Sequence, residues 1–134
     1  AVPTLTLVDQ TLIEFSSFGL DCGVIQGDHF ATDYSKPVQI LSIQTLASKL
    51  KRANKAEKAI LEQYYRSKLV IVDEAHQMFK AQQWLNDITT KPVIALSATP
   101  WAKGLGLWYS DIVHGNSVGW LIDNGFLSKY RAYS

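Results

Sequence analysis

Two short apolar runs constrain this chain more than any other feature: "LVIV" at 69–72 and "VIAL" at 93–96. Each is too short for a buried helix and apolar on both faces. Both therefore read as strands covered from two sides, the condition met by parallel strands in an α/β fold. Each run also ends abruptly on polar chemistry. Asp73 and Glu74 follow the first, and Ser97 and Thr99 close the second. In an open parallel sheet, ligands sit beyond the carboxyl ends of the strands. Two strand ends thus present carboxylates and hydroxyls to one crevice. A carboxylate can hold Mg²⁺ through water, and a second can orient an attacking water. Taken alone, an Asp-Glu pair after a strand is more often a solvated cap on the next helix.

The rest of the chain alternates in the same way. Leu5, Val8, Leu12 and Phe15 stand at helical spacing within 5–18. Strands are expected at 23–27, between glycines, and at 38–43, after Pro37. Residues 45–67 read as a helix with a break point at Asn54, and 77–88 as another, with Met78, Ala81, Leu85 and Ile88 on one face. The strands at the two apolar runs extend over 69–73 and 93–99. A short helix, Ser117 to Asn124, is capped by Ser117 and stopped by Gly125. The segment 100–116, rich in Gly and Trp, is the least regular.

A length of 134 residues suits one domain with a real core. The net charge of +1 advertises neither nucleic acid nor a membrane surface as a whole. Seven of the thirteen basic residues nevertheless fall between Lys49 and Lys68. That helix is a possible contact surface, although Glu57 and Glu62 interrupt it and an ordinary solvated face is the commoner case. The single cysteine, Cys22, excludes an internal disulfide and suits a reducing compartment. No run reaches membrane-spanning length and no signal segment opens the sequence, so the expected location is cytoplasmic.

"VIVDEAH", followed about twenty residues later by "ALSATP", resembles motifs II and III of superfamily 2 helicases, the DEAD/DEAH-box class. "VPTLTLVDQ", 2–10, looks like motif Ia, which grips nucleic-acid backbone. "SIQTLASK", 42–49, looks like the family segment in which a Thr opens a helix that also touches backbone. "SATPWAKGLG" and "LIDNGFLSKYRAY" look like the stretch leaving the first RecA-like domain in phage and bacterial DNA helicases. The resemblance implies that Asp73 coordinates the Mg²⁺ of Mg-ATP through water and that Glu74 is the general base. It implies that His76 couples the ATP site to motif III or to the partner domain, and that Ser97 and Thr99 link hydrolysis to nucleic-acid grip. Thr4, Gln10 and Thr45 would contact nucleic acid, DNA rather than RNA. Trp101 and Trp108 invite base stacking, with packing of their loop an equal alternative.

The family also carries a phosphate-cradling loop, G-x-x-x-x-G-K-[ST], ahead of motif Ia. No Gly-Lys pair occurs in these residues, and "AKGLG", 102–106, has its lysine on the wrong side. The expectation is therefore an incomplete RecA-like domain of the P-loop NTPase type: α/β, mostly parallel, with helices on both faces. Residues 1–115 would form the lobe, and 116–134 the exit toward a missing second lobe. Such a fragment of an ATP-dependent DNA helicase or translocase would bind Mg-ATP poorly and be inactive alone. The alternative is a non-catalytic remnant that binds nucleic acid or protein. A metal hydrolase using Asp73, Glu74 and His76 directly carries little weight, because neighbouring residues cannot all converge on one ion. A missing strand beside 93–98 would leave an apolar edge, open to self-association or to the tail Leu127–Tyr133.

Overall fold

The computed structural model describes residues 1–50, 62–63, 66–77, 80, 83 and 91–129. Four strands are present among them: β1 (Cys22–Ile25), β2 (Val38–Leu41), β3 (Val70–Val72) and β4 (Val93–Ala95). β1 pairs with β2, and β3 with β4, each in parallel. The two pairs are joined by residues 1 and 2. The Val2 N–H donates to Leu41 O at 2.9 Å and the Ile43 N–H to Val2 O at 3.0 Å. On the other side, the Ala1 amino group donates to Ile71 O at 2.6 Å, and the Asp73 N–H to Ala1 O at 2.9 Å. Each bond runs in the sense of a parallel ladder. The order across the molecule is therefore β1, β2, the Ala1–Val2 bridge, β3, β4. Burial pushes the Ala1 amino group down to about 6, against the pull of the nearby Asp73 carboxylate.

Helices pack on both faces, as expected. Helix α1 (Leu5–Ser17) starts where the Thr4 hydroxyl accepts the Leu7 N–H. It stops at Gly19, whose φ of 76° suits glycine, with Gly19 N–H to Ser16 O and Leu20 N–H to Phe15 O closing the last turn. Its Val8 is buried with Val2, Val24 and Ile40. Strand alternation turns Ile25 to the opposite face, where it is buried with Ile43 and Leu46 of α2 (Ile43–Leu50). Full burial of one such aliphatic side chain contributes about 2 kcal/mol. A short helix α3 (Val118–Asp123) is capped by Ser117 and closes at Asn124 and Gly125, as its sequence predicts.

Several boundaries differ from the sequence reading. The expected strands at 23–27, 38–43, 69–73 and 93–99 shorten to 22–25, 38–41, 70–72 and 93–95. Helix α2 begins at Ile43 rather than residue 45, because the buried Ser42 hydroxyl accepts the Thr45 N–H and opens the helix earlier. Most of the later part of that helix, its break at Asn54 and most of 77–88 lie outside the described residues. Glu62, Gln63, Arg66, Lys80 and Gln83 are helical. Coverage of β3 and β4 is lopsided. Val72 is fully buried, yet Leu69, Ile71, Ile94 and Leu96, which share the opposite face, are 44 to 49% exposed. Helix α1 packs on β1 and β2 and leaves that half of its face open. Of the tail expected beside 93–98, Leu127 to Lys129 are exposed and do not pair with β4, and residues 130–133 lie outside the described residues.

The loop between β1 and β2 closes over β1. Val24 N–H donates to Ala31 O, and His29 reaches Asp9 of α1 at 2.8 Å while accepting the Ala31 N–H at 3.1 Å. Gly23 is what permits this approach. A Cβ there would meet the Asp33 carbonyl oxygen at 2.0 Å and Gln39 Nε2 at 2.9 Å. Gly23→Ala is expected to destabilise the chain by about 3 kcal/mol or more, since a backbone atom must move. Chemical denaturation followed by circular dichroism checks this; an unchanged midpoint would contradict the close approach.

Candidate functional site at the strand ends

Because the strands are parallel and in register, one row of residues forms a rim at their carboxyl ends. Gln26, Ser42, Asp73 and Leu96 stand one step beyond the last paired positions of the four strands, and Val2 joins the row through its bridge to Ser42. Helices α1 and α2 both start at this rim, capped by Thr4 and Ser42. Parallel connections through helices place helix starts and strand ends together.

At the β3 end the chain turns sharply. Asp73 Oδ1 accepts the Glu74 N–H at 2.9 Å, and Gln77 N–H closes back on Glu74 O at 3.0 Å, opening a 3₁₀ turn over Ala75–Gln77. Glu74 has φ of 51°, the single non-glycine residue with positive φ among those described. That conformation costs about 1–2 kcal/mol for a residue with a Cβ. Strain of this kind gathers where side-chain direction matters more than stability. The turn is held against β4 by Ala75 N–H to Leu96 O and Leu96 N–H to Val72 O.

The two strand ends meet through His76. Its Nδ1 lies 3.1 Å from Glu74 Oε2 and 3.1 Å from Ser97 Oγ. The first is an ion-pair contact, and the second is a hydrogen bond. Ser97 Oγ also accepts the Thr99 N–H at 3.0 Å. Glu74, His76, Ser97 and Thr99 therefore form one connected network, with Asp73 at its head. Glu74 and His76 are about 40% and 31% exposed in their side chains, so the network is open to solvent.

Of the residues expected to touch nucleic acid, Thr4 is exposed but spends one oxygen lone pair on the α1 cap. Thr45 is half-buried in the first turn of α2. Gln10 is exposed six residues beyond Thr4, about 9 Å further along the helix axis. Trp101 is exposed, with its ring tilted against His114 at 5.0 Å, and Trp108 is half-buried. Sequence reasoning missed Ser42, whose signal was a serine three residues before Thr45 at a strand end. It also missed Gln26, whose buried Oε1 has no hydrogen-bond partner among the described residues.

No group of three or more His, Cys, Asp or Glu side chains that could hold a metal ion occurs among the described residues. A protein cage is thus absent from them. One oxygen of Asp73 remains uncommitted to the turn, which fits a Mg²⁺ whose other ligands are water and phosphate oxygens.

Residues 1–102 match the family described as type III restriction enzyme, res subunit. No curated protein and no solved structure gives a significant match to the chain.

The network makes a quantitative demand. In a double-mutant cycle of His76→Ala and Ser97→Ala, the two residues should couple by about 0.5–1.5 kcal/mol in unfolding free energy. Additive effects within error would mean that the contact contributes nothing in solution.

Proposed function

The chain belongs to the family of the type III restriction enzyme res subunit, a helicase-like domain, and from that membership we propose that it carries the hydrolytic half of an ATP-dependent DNA helicase or translocase site. Helicase-like domains of this kind use Mg-ATP. The observation that carries the proposal is the run of contacts from Glu74 to His76, at ion-pair distance, and on through hydrogen bonds to Ser97 and Thr99. It joins a strained carboxylate at one strand end to a backbone turn at the next. Asp73 would hold Mg²⁺ through water, and the ion would neutralise phosphate charge. Glu74 is the group to accept a proton from an attacking water at its free carboxylate oxygen. His76 lies 3.1 Å from the other oxygen and would bias the direction in which Glu74 points. Movement of Ser97 would be felt at Glu74 through a single imidazole, which makes His76 a positioning residue.

The other half of such a site is phosphate affinity. In this class it comes mostly from backbone amides and a lysine of a glycine-rich loop. These 134 residues contain no Gly-Lys pair, and Asp73 and Glu74 add negative charge where phosphates would approach. The chain by itself is therefore proposed to be catalytically silent. Along the rim, the starts of α1 and α2 offer N–H groups, with Thr4 and Thr45, to the backbone of a nucleic-acid strand. Such contacts position a strand without reading it, so binding would be weak, sequence-blind and weakened by salt. A second reading, a non-catalytic binding remnant, keeps the rim contacts and drops the chemistry.

One experiment separates these readings. Joined to a Gly-Lys-Thr phosphate loop in a complete domain, the chain should hydrolyse ATP, and Glu74→Gln should lower turnover by at least about a hundredfold. The isolated 134 residues should show no saturable micromolar ATP binding in calorimetry. Turnover indifferent to Glu74→Gln would remove the catalytic reading and leave the remnant.

A further inference from the structure

One tryptophan is displayed rather than packed. Beyond β4 the chain forms a loop that bonds to itself: Leu105 N–H to Ala102 O, Leu107 N–H to Gly104 O, and the Trp108 and Tyr109 N–H groups to Leu105 O. Gly104, with φ of 94°, permits the turn. Leu105 is buried and Trp108 half-buried, so the packing of the loop rests on them. Trp101 takes little part in it and is 72% exposed. Tryptophan is highly buried on average, and loop packing, an equal alternative for both residues from the sequence, does not account for this one.

Trp101 stands two residues beyond Thr99, whose N–H is held by Ser97 Oγ. Two residues of chain span at most about 7 Å, so its backbone lies beside the Glu74–His76–Ser97 network at the β4 end of the rim. The capped starts of α1 and α2 occupy the rest of that rim. From Ser42 beyond β2 to Leu96 beyond β4 is three strand spacings, or about 14 Å. That is the length of about four nucleotides of one stacked strand. The Trp101 ring is steadied by His114, with centroids 5.0 Å apart and planes tilted by 40°. Lys103, two residues further on, is exposed.

We propose that Trp101 is a stacking platform for one unpaired base of a nucleic-acid strand whose phosphates lie along the rim, and that Lys103 meets the phosphate beside that base. This platform rests on the nucleic-acid reading of the rim given above and adds to it a contact with bases. Every base has a π-face, so the platform accepts all of them and binding stays sequence-blind. A duplex hides its base faces, so the platform favours a single strand. Phosphate contacts release counterions and carry the salt dependence, whereas stacking on an indole releases none. An apolar protein partner fits less well. Trp101 is followed by Ala102, Lys103 and Gly104, and its ring meets a histidine rather than an aliphatic side chain.

The test titrates the 134-residue chain at low salt with three ligands of one length: an oligothymidine strand, the same sugar-phosphate backbone without bases, and a duplex. The parent chain should prefer oligothymidine over the abasic strand by about tenfold. Trp101→Ala is expected to remove that preference while leaving affinity for the abasic strand and the duplex unchanged. Trp101→Phe, which keeps an aromatic face, should stay within about threefold of the parent. The slope of affinity against salt should be the same in all three proteins, because the phosphate contacts remain. If Trp101→Ala fails to fold, the parent's preference and Trp101→Phe decide. Equal affinity of the parent for oligothymidine and the abasic strand would overturn the platform and leave the rim reading standing. So would an equal loss of affinity for both strands in Trp101→Ala. A preference that depends on Trp101 but ignores salt would support the platform and remove the phosphate rim. Binding of none of the three ligands would overturn both.

Discussion

Four hydrogen bonds made by two residues hold this structure in one piece. Ala1 and Val2 bond to Leu41 and Ile43 on one side and to Ile71 and Asp73 on the other. Without them β1–β2 and β3–β4 are separate two-stranded ladders, and a lone pair of strands is marginal in water. The bridge also settles geometry. It fixes the level at which β2 and β3 end, and so brings the α1 and α2 caps onto the same rim as Asp73. Each bond contributes about 1 kcal/mol net, but their joint effect is to let two small apolar clusters share one sheet. Ala1 and Val70 pack against the cluster of Ile25, Ile43 and Leu46, and Val2 is part of the cluster on the other face.

Chemistry at the rim depends on that alignment. Asp73 lies at the bridge itself, with its N–H on Ala1 O and its carboxylate on the Glu74 N–H. The positive φ of Glu74 follows from a chain that must leave β3 and turn at once to stay against Leu96. The result is a carboxylate aimed by backbone strain and steadied by His76. A strained acid beside an imidazole and a serine contributes little to folding. Its cost is carried by the packing of Val72 and Ala75, both essentially fully buried just beneath it.

Much of this was legible from the residues. The two apolar runs gave parallel strands because each is apolar on both faces and too short for a buried helix. Ser117 and Gly125 marked α3 through ordinary cap chemistry. The union of Asp73, Glu74, His76, Ser97 and Thr99 at adjacent strand ends was likewise readable, since strand ends of a parallel sheet must meet. The bridge was not, because two residues carry no periodicity. Nor was the role of Thr4 as a cap, since a threonine before an apolar helix serves equally well as a cap or as a phosphate contact. Ser42 was overlooked for Thr45 because both lie near the helix start and only the three-dimensional turn shows which hydroxyl closes it. The Asp9–His29 contact spans 20 positions and leaves no local signal.

Hydrogen exchange under native conditions tests most directly whether the two strand pairs are one cooperative sheet. The Ile43 amide donates to Val2 and the Asp73 amide to Ala1, so they report the two sides of the bridge. A single sheet predicts that both exchange only through global unfolding, with opening free energies equal to each other and to that of Leu96, which donates to Val72 in the β3–β4 ladder. If Asp73 and Leu96 instead open together at much lower free energy than Ile43, the pairs are independent, and the rim is not one site.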